Sequence, residues 1–288
     1  MRILLTGGTG FLGRFVHASL AERGDEVVVV SRRGPVTWDD AEREVPRAQA
    51  VVHLAGEPIA EGRWTAERWE RIRASRLDTT ARLARAMAAV SASERPRVFV
   101  SGSAVGIYGM RRDDVLCDES TGPGDDVLAR LCVAWEAAAD AARDAGVRVV
   151  HPRIGIALGA GGVLARMAPA FRLFAGGPVG DGAQWVSWIH ARDVVRALLF
   201  LVDGAALEGA YDLVAPAPVT MSDLARAIGK ALGRPSALRV PAFALRLAFG
   251  EGLAETLLTG QRVAPRRLLD AGFAFEFPDL EPALRDLL

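Results

Sequence analysis

Lysine is nearly absent from this sequence. The 288 residues contain 35 lysines and arginines together, and Lys230 is the only lysine. A mechanism that needs a lysine earlier in the chain is therefore excluded, whether that lysine would form a Schiff base, bind a phosphate or relay a proton. Tyrosine is almost as scarce, since Tyr108 and Tyr211 are the only two.

Other absences narrow the class of protein. Two cysteines, Cys117 and Cys132, are too few for a disulfide framework and are not spaced as zinc ligands, so we expect no metal site. Basic and acidic residues balance at 35 each. This balance predicts no nucleic-acid partner held mainly by counterion release. No apolar run approaches the ~20 residues that span a bilayer, so we expect no membrane association.

The chain begins with MRILLTGG, which starts a strand at once. This beginning leaves no room for a signal peptide. Together with the lack of a predicted membrane span, it predicts a cytoplasmic protein.

Strand and helix patterns alternate through the first half of the chain. Buried strands are predicted over residues 2–6, 26–30, 50–54, 98–101 and 147–151. Helices are predicted between them over residues 11–23, 65–92 and 126–145. Such alternation is typical of an α/β protein with a Rossmann-type, doubly wound parallel sheet and helices on both faces.

The pattern loosens after about residue 155, where glycine-rich loops and short helical pieces follow. We predict a Rossmann domain over residues 1–158 plus about 189–214, and a smaller C-terminal α/β substrate lobe over about 159–188 and 215–288. Residues 31–49 are too few for an extended piece and a full helix. The crossover after the second strand is therefore predicted to be abbreviated, with an open groove beside it.

A glycine-rich turn joins the first strand to the first helix. Gly7, Gly10 and Gly13 have the spacing that allows a tight turn, a close approach to a pyrophosphate and close helix–strand packing. The N-terminus of the following helix offers N–H groups and a positive dipole end to the phosphates. The turn predicts dinucleotide binding by residues Gly7, Gly8, Thr9, Gly10, Phe11, Leu12 and Gly13.

The end of the second strand indicates which dinucleotide is bound. A site for NAD usually has Asp or Glu there, to hold the ribose 2′-hydroxyl. This strand is followed by Ser31, Arg32 and Arg33. A hydroxyl and guanidinium groups suit a 2′-phosphate, so the sequence predicts NADP(H) as cofactor.

The chain resembles the extended short-chain dehydrogenase/reductases, the group that includes nucleotide-sugar epimerases. The resemblance rests on the glycine turn and on four further strings, VHLAG, FVSGS, PRIG and WIHARD. Further strings resemble one atypical branch of the NAD-dependent epimerase/dehydratase-like family, which has a C-terminal domain of unknown function. These are LAGEPI, SR at 75–76, WEAA, GGP at 176–178 and GQRV at 260–263.

The resemblance implies roles for residues after the third strand. It places His53, Leu54, Ala55 and Gly56 along the cofactor, with His53 contacting it through its backbone rather than acting in catalysis. It also places Arg76, where the family often has asparagine, at a phosphate or ribose; a surface salt bridge is the alternative. Glu57 is expected at the nicotinamide end of the substrate pocket.

The usual catalytic pair of the family is missing. Laying the family's Tyr-x-x-x-Lys helix on this chain puts Leu131 at the tyrosine position and Trp135 at the lysine position. Neither side chain can transfer a proton. Ser103, which matches the family's catalytic serine, and Tyr108, five residues beyond it, are the remaining catalytic candidates.

Each candidate has a structural alternative. Ser103 could satisfy the backbone at a strand end, and Tyr108 could be a packed loop aromatic. Trp135 and Trp185 are expected to line a substrate pocket, although most tryptophans belong to a core or an interface. For His190, helix capping is preferred to a catalytic role.

Two functions remain open from the sequence. The first is an NADP(H)-dependent oxidoreductase or epimerase-like enzyme acting on a small-molecule substrate without the Tyr–Lys pair. The second is a catalytically silent protein that senses the redox state of NADP(H). A homodimer through helix pairs is a further expectation from the family resemblance.

Overall fold

The computed structural model describes residues 1–32 and 34–288. The strands, numbered in chain order, are β1 (Arg2–Thr6), β2 (Glu26–Val30), β3 (Ala50–His53), β4 (Val98–Ser101), β5 (Ser103–Ala104), β6 (Leu116–Cys117), β7 (Arg148–Ile154), β8 (Ile156–Gly159), β9 (Trp185–Val186), β10 (Trp188–His190), β11 (Gly209–Leu213), β12 (Val219–Thr220) and β13 (Arg262–Val263). The α-helices are α1 (Phe11–Glu22), α2 (Ala41–Glu44), α3 (Ala66–Ala89), α4 (Val127–Ala137), α5 (Asp140–Asp144), α6 (Gly162–Arg172), α7 (Ala191–Asp203), α8 (Met221–Leu232), α9 (Ala242–Leu258), α10 (Arg266–Asp270) and α11 (Leu280–Leu287).

A parallel sheet in the order β2-β1-β3-β4-β7-β11 forms the centre of the molecule, and the short β5 also pairs with β7. This confirms the predicted doubly wound α/β fold. The chain reverses direction across the sheet between β1 and β3, because β2 lies outside β1 whereas β3 and all later strands lie on the other side. Ligands of such sheets bind outside the carboxyl ends of the strands at this reversal.

Apolar layers cover both faces of the sheet. Side chains alternate along β1, so Ile3 and Leu5 pack with Leu198 of α7 on one face, whereas Leu4 packs with Leu83 of α3 on the other. With both faces covered, the central strands carry the near-continuous apolar runs that identified them in the sequence.

The crossover after β2 is abbreviated, as predicted. Val36 makes a single parallel bridge to Val30, and the only α-helix described between β2 and β3 is the four-residue α2. The edge of the sheet beside the carboxyl end of β2 is therefore left open in the described part of this segment.

The predicted helix over residues 126–145 is wrong, because it is two helices. Helix α4 ends at Ala137, and α5 begins at Asp140. The second piece packs Ala139 and Ala142, both fully buried, against α3. No glycine or proline marks the break, so no local signal predicts it.

A second, smaller core lies in the C-terminal part of the chain. Helices α6, α8 and α11 bury Leu164, Leu224 and Leu284 around Trp188. Short strand pairs, β8 with β10 and β9 with β12, border this core. Helix α8 begins in a capping box between Thr220 and Asp223. Among the described helices, none is long and apolar enough to cross a membrane.

Candidate functional site

The glycine turn lies at the carboxyl end of β1 and touches the end of β3. Gly7 has a φ of +74°, and a Cβ atom there would lie 2.6 Å from the backbone carbon of Leu54. A Cβ atom on Gly13 would lie 2.0 Å from the Gly7 carbonyl oxygen. Both positions therefore need glycine: one lets the turn approach β3, and the other lets α1 approach the turn.

The N-terminus of α1 points out of this turn with its N–H groups available. In the described structure Gly10 is the N-cap, no side chain caps the helix, and the first turn contains no acidic residue. The first N–H groups of a helix lack partners within the helix and carry its positive dipole end. This arrangement suits an anionic group next to Thr9 and Gly10.

A cavity of about 380 Å³ opens at the turn. It runs from the carboxyl end of β2, across the turn, to the segment that follows β3. Its described lining consists of Gly7, Thr9, Gly10, Val30, Ser31, Arg32, Trp38, Leu54, Ala55, Gly56, Glu57, Pro58, Ser75 and Thr79. Sequence reasoning did not assign Val30, Trp38, Pro58, Ser75 and Thr79 to the site. Pro58 and Ser75 nevertheless lie in the quoted strings LAGEPI and SR, and Trp38 lies in the extended piece after β2.

Ser31 and Arg32 lie at one end of this cavity, where β2 ends. Both also line an adjacent cavity of about 520 Å³, together with Thr9 and Gly34. Arg32 is exposed, so its guanidinium group is accessible to a ligand. The predicted contact of Arg33 lies outside the described residues.

Three residues of the turn support the cavity without lining it. A Cβ atom on Gly8 would meet the Val29 side chain at 2.9 Å. The Phe11 ring packs against Gly159 and the loop that follows it, and Leu12 packs against the core. The structure therefore gives the Phe11 and Leu12 side chains a packing role, and Gly7, Thr9 and Gly10 are the turn residues that line the cavity.

His53 is fully buried beneath the cavity. Its Nδ1 atom lies 2.5 Å from Thr6 Oγ1, and its Nε2 atom lies 3.2 Å from Thr79 Oγ1. Burial, assisted by the Arg76 charge, lowers the pKa of His53 to about 3, so the imidazole is neutral near pH 7. The side chain links β1, β3 and α3, and the backbone contact with the cofactor that the family resemblance implies stays a prediction.

Glu57 and Arg76 lie at the opposite end of the cavity from Arg32. Glu57 lines the cavity, and its carboxylate is 3.5 Å from Arg68. Arg76 is 9% exposed, and its Nη1 atom donates to the carbonyl oxygens of Glu57 and Ile72. A Cβ atom on Gly56 would lie 3.2 Å from the guanidinium carbon of Arg76.

The Arg76 guanidinium is a buried cation. It lies 5.1 Å from the centre of the Trp135 ring, and no carboxylate among the described residues is within salt-bridge distance of it. Burial lowers the pKa of Arg76 to about 10, which keeps the group charged at neutral pH. The surface salt bridge, which was the alternative to a phosphate or ribose contact, is therefore not observed among the described residues. A positive charge remains beside Gly56.

Ser103, the first residue of β5, is buried and contacts a carboxylate. Its hydroxyl donates to Glu136 Oε1 at 2.7 Å. Arg153 holds the same carboxylate in a bidentate pair, with Nε 2.8 Å from Oε1 and Nη2 3.0 Å from Oε2. Although burial opposes the shift, these bonds lower the pKa of Glu136 below its ordinary value. Glu136 is therefore an ionised acceptor at neutral pH.

The Tyr108 hydroxyl does not face the cleft, which favours the preferred interpretation, a packed loop aromatic, over a proton donor. Tyr108 is 1% exposed; its hydroxyl donates to Asp212 at 2.7 Å and accepts from Arg153 Nη1 at 3.0 Å. Burial, the Asp212 charge and this hydrogen bond raise the pKa of Tyr108 far above its ordinary value. The side chain is fixed in a polar network, as a packed loop aromatic would be.

Asp212 ends this network in a fully buried position. Burial, with a contribution from the Glu119 charge, raises the pKa of Asp212 to about 8. Its second carboxyl oxygen has no hydrogen-bond partner among the described residues. Ser103, Glu136, Arg153, Tyr108 and Asp212 thus form a continuous chain of hydrogen bonds, which we call the Ser103 network.

The two tryptophans expected in a substrate pocket differ. Trp135 is buried, and its indole nitrogen donates to Thr80 at 3.0 Å, so it packs between α3 and α4 instead of lining the cavity described above. Trp185 lines a separate cavity of about 250 Å³, where the Arg262 guanidinium lies 4.6 Å from its ring centre. His190 caps α7 by accepting from the Arg192 N–H, as preferred.

Sequence reasoning missed three members of the Ser103 network. Glu136 stood in the quoted string WEAA and Arg153 in the string PRIG, but neither was considered for chemistry. Asp212 follows Tyr211 in a buried strand and had no local signal. None of the described residues forms a cluster of three or more His, Cys, Asp or Glu that could hold a metal ion.

Comparison with known families gives two matches along the chain. The profile described as the NAD dependent epimerase/dehydratase family matches residues 3–212. A profile described as a domain of unknown function, DUF1731, matches residues 240–287.

Individual relatives extend over the whole chain. Epimerase family protein SDR39U1 from Bos taurus is 40% identical over 296 residues, which cover 100% of both chains. The crystal structure of human epimerase family protein SDR39U1 (isoform 2) with NADPH has a TM-score of 0.93 at 36% identity, covering 100% of this chain and 99% of that one. A nucleoside-diphosphate sugar epimerase from Corynebacterium glutamicum has a TM-score of 0.82 at 32% identity, covering 99% of this chain and 57% of that one.

Proposed function

The chain belongs to the NAD dependent epimerase/dehydratase family, and from that premise we propose that it is an NADP(H)-dependent oxidoreductase or epimerase-like enzyme. Its substrate is a small molecule that reacts beside the Gly56 end of the cavity. The observation that carries this proposal is the cavity itself, which has a glycine turn at its centre and Ser31 with Arg32 at one end.

The residues present fit a dinucleotide with a 2′-phosphate. Gly7 and Gly10 line the cavity without a Cβ atom, and the uncapped N-terminus of α1 faces the same space. The pyrophosphate would lie at Thr9 and Gly10, and the 2′-phosphate at Ser31 and Arg32. The NADPH in the structure of human SDR39U1, a relative similar over the whole chain, supports this choice of cofactor.

The opposite end of the cavity is where we place the chemistry. NADP(H) supplies a hydride donor or acceptor when it is bound. Gly56 and Glu57 would border the reacting end of the cofactor, and the buried Arg76 charge would hold a ribose or phosphate oxygen there. Ser103 is close to this end, because Ser101 pairs with His53 in adjacent strands and the Gly102 N–H donates to the His53 carbonyl oxygen at 2.9 Å.

Two measurements test the proposal. Isothermal titration with NADPH and NADH should give tighter binding of NADPH. Stopped-flow absorbance of the NADPH-loaded protein against a panel of carbonyl compounds and nucleotide sugars should then reveal oxidation of the cofactor. Complete inertness across the panel, with cofactor occupancy confirmed, would contradict an enzymatic function.

The alternative function is a sensor of the NADP(H) redox state. The observation that favours it is the loss of the usual proton donor: Leu131 occupies the tyrosine position, and Tyr108 is fixed to Asp212. A sensor would turn nothing over but would differ between its NADP⁺ and NADPH complexes in hydrogen exchange. Identical exchange in the two complexes would exclude it.

A further inference from the structure

The family resemblance implies that the Ser103 hydroxyl contacts the reacting oxygen of the substrate; beyond that, we propose that Glu136, acting through Ser103, is the positioning residue that accepts the substrate proton. This pair would replace the Tyr–Lys pair that the chain lacks. The inference rests on the proposed function, because it assigns the proton transfer that accompanies hydride transfer.

The position of Ser103 supports this assignment. Strand β4 is parallel to β3, with Ser101 opposite His53, so Ser103 lies as far beyond the sheet edge as Ala55 does. Ala55 lines the cofactor cavity. A continuous set of contacts also joins the two places, since Gly56 touches Arg76, Arg76 lies over Trp135, and Trp135 is 3.4 Å from the Cβ position of Gly102.

The direction of the hydrogen bonds gives Ser103 its role. Arg153 donates to both oxygens of Glu136, which is consistent only with an acceptor carboxylate. Ser103 must therefore donate its single proton to Glu136. Ser103 is 3% exposed, and its oxygen has lone pairs beyond the proton that it donates. A substrate hydroxyl that reaches Ser103 would therefore donate to it while Ser103 donates to Glu136.

The neighbouring groups cannot take this role. The Tyr108 hydroxyl is committed to Asp212 and is too weak an acid in its buried position. Leu131 has no transferable proton, and the indole of Trp135 is bonded to Thr80. Among the described residues, Glu136 is the carboxylate that contacts Ser103.

The proton transfer balances for an alcohol substrate. The C–H bond breaks, and hydride passes to the oxidised cofactor. The O–H bond breaks, and its proton passes to Ser103 Oγ while the original Ser103 proton passes to Glu136 Oε1. In the reverse direction Glu136 returns a proton through Ser103 to the carbonyl oxygen. Since Glu136 has a lowered pKa, reduction should become faster as the pH falls toward that pKa.

The test uses the full-length protein loaded with NADPH and 9,10-phenanthrenequinone as a dicarbonyl probe. Wild type, Glu136→Gln, Ser103→Ala and Ser103→Thr are compared. Glu70→Gln is the matched control, because Glu70 has a similar bidentate pair with Arg73 on the exposed surface of α3. Single-turnover rates are measured between about pH 5.5 and 9, after NADPH affinity and thermal unfolding have been checked for each variant.

We expect NADPH affinity to stay within about twofold in every variant. The rate should fall by about 10²-fold or more in Glu136→Gln and Ser103→Ala, the range for removal of a general acid–base group. The rise in rate at low pH should disappear in Glu136→Gln. Ser103→Thr, which keeps the hydroxyl, should retain most of the rate, and Glu70→Gln all of it.

A second measurement does not depend on turnover. The carboxyl carbon of Glu136, labelled with ¹³C and identified by its loss in Glu136→Gln, is titrated by NMR in wild type and Ser103→Ala. Because the Ser103 hydrogen bond stabilises the carboxylate, its removal should raise the pKa of Glu136. An unchanged titration would show that the two groups are not coupled and would overturn the inference.

The outcomes separate this inference from the proposed function. If Glu136→Gln binds NADPH and keeps the wild-type rate and pH profile, the inference is wrong and the enzymatic function stands. If wild type binds NADPH but is inert toward the probe and the wider panel, the enzymatic function fails, and the proton transfer fails with it.

Discussion

The two ends of the candidate site are built in opposite ways. At one end the glycine turn presents its backbone. Because Gly7 and Gly13 have no side chains, β1, β3 and α1 can approach one another closely. The Ser103 network is made of side chains, and its members come from five different segments of the chain. One end offers backbone N–H groups to an anion, and at the other end the opposite charges of Glu136 and Arg153 are paired.

The difference shows which changes each end tolerates. An atom added to the glycine turn would disrupt its close packing. Removing one partner from the Ser103 network would instead leave a buried polar or charged group unpaired. The separation of the residues along the sequence also differs between the two ends. The turn spans residues 7–13, but Ser103 and Glu136 are 33 residues apart, and Tyr108 and Asp212 are 104 apart.

The largest effect should follow the removal of Arg153. Arg153→Met leaves the mostly buried Glu136 carboxylate without its cation and removes a donor from Tyr108. Breaking a buried pair in this way costs about 3–5 kcal/mol of the free energy of unfolding. Urea denaturation measures it, with Arg73→Met at the exposed Glu70 pair as the control. Similar stability in both variants would mean that the Ser103 network does not depend on paired charge.

The next effect is the pH dependence of the free energy of unfolding, which also tests how far the Ser103 network depends on charge. Burial raises the pKa of Asp212 in the folded state to about 8 from its ordinary value of 3.8, so the folded state keeps a proton that the unfolded state has lost. Its contribution to stability is complete below about pH 4 and declines as the pH rises through 8, by at most about 1.4 kcal/mol per pH unit.

Asp212→Asn cannot ionise, but it keeps an acceptor for Tyr108. Its stability relative to wild type should therefore increase from pH 5 to pH 8 in urea unfolding curves. A constant difference between the two proteins would show that Asp212 has an ordinary pKa.

A smaller effect is expected at the end of the cavity where Arg32 lies. Arg32→Ala should weaken NADPH binding by about 1.5–3 kcal/mol, the range for hydrogen bonds to charged groups, and leave NADH binding nearly unchanged. Calorimetric titration measures both, with the exposed Arg43→Ala on α2 as the control. Equal losses for NADPH and NADH would show that Arg32 does not bind the 2′-phosphate.

The smallest effect concerns the close packing of α1 against the glycine turn. Gly13→Ala inserts an atom against the Gly7 carbonyl and should cost about 1–3 kcal/mol of stability, the range for overpacking, and weaken NADPH binding. Gly122→Ala is the control, because a Cβ atom there would have no described neighbour within 4 Å. If both variants are as stable as wild type, the close approach of α1 is not needed.

Much of the fold could be predicted because its signals are local. Buried β-branched strands, the glycine spacing and the shortened segment after β2 each lie within a few consecutive residues. Predictions failed where distant contacts decided the outcome. The break between α4 and α5 depends on packing against α3, and the orientation of Tyr108 depends on Asp212 in β11.

The sequence by itself determined the parallel sheet, the glycine turn, the hydroxyl and guanidinium groups after β2, and the absence of lysine. These follow from residue types and short spacings, which act on the backbone nearby. Only the tertiary structure decided what surrounds Ser103. The pairing of Ser103, Glu136 and Arg153 requires β5, α4 and β7 to meet at one edge of the sheet. Sequence periodicity predicts which residues are buried, but it does not predict which buried polar groups will form hydrogen bonds with one another.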